Sequence, residues 1–67
     1  MAYTPIDCNL YDRYEAAATL KRTVVLTMDT GEEVQGVITD LFIRDRTEWL
    51  RLSDGAEIRL DRIMRME

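Results

Sequence analysis

The stretch that most limits the fold is Glu33–Arg44, EVQGVITDLFIR, because it carries apolar residues on both alternation phases. Val34, Ile38 and Phe42 fall on one phase; Val37, Leu41 and Ile43 fall on the other. Successive strand side chains point to opposite faces, so a half-buried strand alternates cleanly. A strand without that alternation is buried on both sides, or bent so that each half serves a different layer. Gly36 is the expected place for a bend or bulge, since it has no side chain to meet a second backbone. One long bent strand that serves two layers is how a small barrel closes.

The rest of the chain is consistent with that spine. Thr4 precedes Pro5, which biases Tyr3–Ile6 towards extended geometry. A helix then begins between Thr4 and Asn9, with Asp7 and Asn9 as candidate caps for free backbone N–H groups. Leu10, Tyr14, Ala17 and Ala18 recur at helical spacing, and Ala16-Ala17-Ala18 favours the helix intrinsically. Asp7, Asp12 and Glu15 place acids early in the helix, and Lys21 and Arg22 place cations in or just after its last turn, both with the favourable sign. The helix is expected to end near Leu20. Thr23–Met28 is a β-branched strand with Val24, Leu26 and Met28 on one face. Asp29-Thr30-Gly31 is a tight turn. After the spine, Arg44-Asp45-Arg46 is a charged connection. Thr47–Leu52 alternates, with Leu50 and Leu52 inward. Asp54-Gly55 signals a hairpin, and Ala56, Ile58 and Leu60 face inward after it. Asp61-Arg62 bends the chain into a last short strand, Ile63–Met66. The expected fold is mostly β: a helix (1–22) followed by a strongly bent five-stranded antiparallel barrel (23–67), in one domain.

Size and composition exclude much. A chain of 67 residues buries only about 60% of its unfolded surface, so its core is thin. Cys8 is the only cysteine, which suits a reducing compartment. The N-terminus lacks the basic-then-apolar pattern of an export signal. No apolar run is long enough for a membrane span, and a cytoplasmic protein is expected. With no histidine, neither a Ser-His-Asp nor a Cys-His arrangement exists, nor a histidine metal ligand. The three glycines form no phosphate-binding loop. The carboxylates of Asp12 and Glu15 lie on an exposed helix face, where a solvated surface is the simpler account than acid–base catalysis. No enzyme, cofactor or metal is expected. A net charge of −4 disfavours direct grip on nucleic acid, which uses a basic face, and favours a basic protein partner.

Two surfaces remain. Asp7, Tyr11, Asp12 and Glu15 fall together on the first helical turns, where they make either an anionic edge carrying a stacking ring or ordinary capping chemistry beside a core tyrosine. Trp49 either faces outward beside Arg44, Arg46 and Arg51, as a contact residue, or packs under the helix beneath Tyr14.

The segments YTPIDCNLYDRYEAA, Asp29–Gly31, Thr39-Asp40-Leu41, Glu48-Trp49-Leu50 and EIRLDRI (Glu57–Ile63) together resemble the Rho-binding antiterminator family of small bacterial proteins. The likeness covers nearly the whole chain. It implies an Sm-like fold, in agreement with the fold expected from periodicity and turns. It also implies binding to the transcription termination factor Rho near its primary RNA site, so that the protein competes with RNA rather than binding it, as a free monomer. The residues carried over are Asp7, Tyr11, Asp12 and Glu15 on the helix side, and Arg44, Asp45, Arg46 and Glu48 on the loop side. Leu10 and Arg13 stand where the family often has acidic or polar residues, so the contact is expected to lean on shape and on the Arg44–Arg46 loop. The alternative is an Sm-like RNA-binding module that joins edge strands into a ring.

Overall fold

The computed structural model describes residues 8–67. The extended start at Tyr3–Ile6, the Asp7 cap and the side chain of Cys8 lie outside the described residues. Helix α1 (Cys8–Thr19) is followed by β1 (Thr23–Met28), β2 (Glu33–Arg44), β3 (Thr47–Leu52), β4 (Glu57–Arg59), a single 3-10 turn (Leu60–Arg62) and β5 (Ile63–Met66). All pairings are antiparallel, and the strand order is β4-β3-β2-β1-β5.

β2 is used in halves. Its first half pairs with β1, from Thr27↔Glu33 to Thr23↔Val37. Its second half pairs with β3, from Ile38↔Leu52 to Arg44↔Thr47. β4 and β5 are the two edges of a strongly bent sheet, which stays open between them.

The change of phase within β2 has a local cause. Ile38 pairs with Leu52, and the next pair is Asp40 with Arg51, so Thr39 is an extra residue on β2. Its hydroxyl donates to the Arg51 carbonyl at 3.2 Å. A bulge of this kind bends the strand and shifts its side-chain phase by one. Val34 and Ile38 therefore face the core on one phase and Leu41 on the other, while Phe42 turns to the outer face. The bulge is at Thr39, not at Gly36. Gly36 keeps a regular pairing with Val24 and serves a different need: a Cβ there would lie 3.2 Å from Leu52 Cδ1. It lets β3 close over β2.

Tyr14, Leu26, Ile38, Leu50, Leu52 and Leu60 are the largest fully buried side chains. Helix α1 lays Tyr14 and Ala17 into this core, with Leu10, Tyr11 and Ala18 packed at its margin. The apolar stripe is the one the spacing gives. The acids sit differently, while Lys21 and Arg22 come just after the last turn as expected. The first turn of α1 has no acid and the last has no base, with Asp12 and Glu15 further along. The end effect of the helix dipole fades within one turn, so these acids are not there to stabilise the helix terminus. The helix instead closes on a backbone motif. Arg22 N–H donates to the Ala17 carbonyl at 3.1 Å and Lys21 N–H to the Ala18 carbonyl at 3.2 Å. Lys21 takes φ 54°, the left-handed position usually given to glycine in such a cap.

Candidate protein-binding surface

The β2–β3 hairpin builds the surface. Its connection is two residues, Asp45 and Arg46, with φ 51° and 62°. Positive φ at both central positions is the type I′ turn, whose twist matches a tight hairpin. Asp tolerates this conformation; Arg does so at a cost of about 1 kcal/mol. A two-residue turn also fixes register: Ile43 faces Glu48 and Phe42 faces Trp49. Directly opposed residues share a face, so the hairpin shows two different surfaces.

On the core-side face, Leu41 and Leu50 form the last apolar pair before Ile43 and Glu48. Tyr11 of α1 comes over this end, half-buried. Burial raises the pKa of its phenol above the usual value, and the carboxylates of Glu15 and Glu48 raise it further. The ring therefore keeps its O–H, a neutral donor flanked by two acids. Asp12 and Glu15 are exposed on the helix. The fold thus joins residues from distant parts of the chain: Tyr11 and Glu15 from the helix and Glu48 from β3.

The outer face holds a different arrangement. The Phe42 and Trp49 rings stack, with centroids 6.4 Å apart and planes at 8°. The Arg44 guanidinium lies 5.1 Å from the Phe42 centroid and 5.4 Å from that of Trp49, and Arg51 lies 5.1 Å over Phe42. Cations over aromatic faces are attracted by the ring quadrupole. Glu57 of β4 ties both arginines down. It accepts a forked pair from Arg44 at 2.9 and 3.1 Å and a bond from Arg51 at 2.9 Å. Arg51 also reaches Asp40 at 3.3 Å. These bonds hold the Glu57 carboxyl well below the ordinary range, at about 2.

This geometry separates the residues carried over by resemblance. Tyr11, Glu15 and Glu48 come together, with Asp12 beside them on the helix. Asp45 and Arg46 form the turn at the edge of that patch. Arg44 points to the opposite face, where Glu57 and the rings hold it. Asp7 lies outside the described residues. Trp49 is not under the helix beneath Tyr14; it lies against Phe42 on the outer face, with Nε1 buried and without a hydrogen-bond partner among the described residues. The packing reason is that Leu50 and Leu52 already fill the inward positions of β3.

The sequence places Arg51 beside Trp49 but does not join Phe42 and Glu57 to them. The signal was available in the turn length: a two-residue connection at Asp45-Arg46 puts Phe42 opposite Trp49 without further information. Among the described residues, no group of three or more His, Cys, Asp or Glu side chains could hold a metal. No described helix is long and apolar enough to cross a membrane.

Residues 5–67 match the family described as "Modulator of Rho-dependent transcription termination (ROF)". Two curated bacterial relatives, each named "Protein rof", come from Escherichia coli (strain K12) and Shigella flexneri. Each is 34% identical over 64 residues, spanning 91% of this chain and 76% of the relative. A family match over nearly the whole chain, with relatives at this identity, agrees with the helix and bent five-stranded sheet: the chain belongs to the family of modulators of Rho-dependent transcription termination.

Proposed function

We propose that this protein inhibits Rho-dependent termination by binding the N-terminal RNA-binding region of Rho and blocking its primary RNA site. The observation that carries this reading is that half-buried Tyr11 lies within electrostatic reach of the Glu15 and Glu48 carboxylates, with Asp12 exposed on the same helix. A site that holds single-stranded RNA combines positive charge with surfaces on which bases stack. Carboxylates around a half-buried ring offer the matching chemistry: negative charge where phosphates would lie and an aromatic edge where a base would lie. The protein competes with RNA and does not itself hold it. Its place of action is the cytoplasm, where transcription is terminated in bacteria.

The test is a titration of purified Rho carrying a labelled pyrimidine-rich RNA. Displacement of the RNA by the wild-type protein is expected. Asp12→Lys with Glu15→Lys should weaken displacement at least about tenfold, since each reversed charge now repels a basic groove. Unchanged displacement would remove the helix face from the interface.

The open edges β4 and β5 favour a second reading, a ring of copies joined edge to edge. Both edges are blunted, however. β4 is three residues long, and the β1–β5 register shifts beside Met28. Short and bulged edges are ordinary protection against strand addition. A monomer in light scattering is the expected result; a ring that binds uridine-rich RNA would replace the first reading.

A further inference from the structure

Among the described residues, three large apolar side chains are strongly exposed: Leu20 at 60%, Ile43 at 72% and Met64 at 72%. A single exposed apolar residue is ordinary on a protein surface. Their surroundings distinguish them. Leu20 borders an open cleft at the far end of α1, beside Ala16, Thr23 and Met66. Met64 sits at the irregularity on edge strand β5. Ile43 alone lies beside the surface described above. It is directly opposite Glu48, whose carboxylate acts on Tyr11. It is also two residues before the left-handed pair Asp45-Arg46.

The pairing decides what Ile43 can do. It continues the inward face of β2 past Leu41, but the core ends there, and nothing in the described chain covers it. Its side chain is β-branched, so its χ1 is restricted and it loses little freedom when covered. Glu48 faces it across the ladder, the turn cation Arg46 follows it in the chain, and Tyr11 lies within electrostatic reach of the Glu48 carboxylate. An apolar centre with a charged rim is the composition of an energetic centre in a protein interface.

We infer that Ile43 is the apolar anchor of the surface that meets Rho, seating against an apolar or aromatic base-stacking side chain of Rho's RNA-binding groove. This rests on the proposed function, and it adds a contact that charge complementarity alone does not supply. The occupant follows from the rim. Glu15 and Glu48 select a basic surround, while Ile43 and the Tyr11 ring select the stacking surface that such a groove offers to bases. Acidic residues give the approach and orientation; Ile43 gives desolvated area, which slows departure.

The test uses the full-length protein with purified Rho, comparing wild type with Ile43→Thr and with Glu15→Gln at several salt concentrations. Ile43→Thr keeps the β-branch and should leave the melting temperature unchanged. It is expected to weaken binding about tenfold, by removing buried apolar area. It should do so equally at all salt concentrations, while Glu15→Gln should reduce the salt dependence. Ile43→Lys, a second variant that sets a cation against the basic surround, should weaken binding further. Wild-type affinity in both Ile43 variants, with the wild type itself binding Rho, would overturn this inference alone. Failure of the wild type to bind Rho would overturn the proposed function together with it.

Discussion

Lys21 and Arg46 share a backbone conformation and differ in what surrounds them. Both occupy left-handed φ, where a side chain costs about 1 kcal/mol relative to glycine. Lys21 closes the helix on the side of the molecule away from the hairpin turn. Lys21→Gly should therefore raise stability by about 1 kcal/mol, a gain of about 4–8 °C in a melting curve for a domain this small, with Rho binding unchanged. Arg46→Gly should give a similar gain in melting temperature. Calorimetry of both variants alongside Rho titration separates a conformational cost kept for contact from one that is merely tolerated: Arg46→Gly should bind more weakly while being more stable. Strain of this kind collects where a segment serves a partner.

Glu57 carries the clearest pH dependence. Its carboxyl is depressed from 4.5 to about 2 by bonds from Arg44 and Arg51. A depressed carboxyl gives stability that is fully present above its unfolded value and is lost as pH falls through its folded value. Melting temperature should thus fall between about pH 5 and pH 2, and Glu57→Gln should flatten that limb. A variant whose acid limb is as steep as the wild type would show that other carboxylates govern it.

At the scale of elements, the Thr39 bulge explains the feature that made β2 conspicuous. A sequence with two apolar phases shows that a strand serves two layers. It does not show where the phase changes, because an extra residue is held by a register and not by composition. Gly36 drew the prediction since a missing side chain is visible in sequence, but its cause lay 16 positions away, in Leu52. Gly36→Ala should cost about 1 kcal/mol despite the lower flexibility of alanine, since Leu52 is fully buried and has little room to yield. Gly36→Ala combined with Leu52→Val should recover part of that loss; simple additivity in denaturant titrations would show that the two do not touch. The helix stripe, the turns at Asp29–Gly31 and Asp54-Gly55, and the inward pair Leu50 and Leu52 were all legible, because each depends on local spacing alone. Meeting points between distant segments were not. The grouping of Tyr11 with Glu48, and of Arg44 with Glu57, depends on how the sheet bends. Family resemblance grouped Arg44 with Asp45 and Arg46; the register places the Arg44 side chain against Phe42 and Trp49, on the face opposite Ile43 and Glu48.

For the whole molecule, the pairing of charges is uneven. Arg44, Arg51, Arg59, Arg62 and Arg65 each have a carboxylate partner within the chain. Much of the basic complement is thereby neutralised locally, and the net charge of −4 falls on the remaining surface, which includes the helix face with Asp12 and Glu15. A neutralised outer face set against an acidic one makes the molecule an electric dipole. Such a dipole turns in the field of a basic target before contact, so a larger share of encounters begins in the right orientation. The outer network of Arg44, Arg51 and Glu57 then has a kinetic consequence of its own. Stopped-flow association should slow with added salt while dissociation changes little. Breaking the network with Glu57→Gln would leave Arg44 and Arg51 with less compensation and should alter the rate of arrival more than the lifetime of the complex.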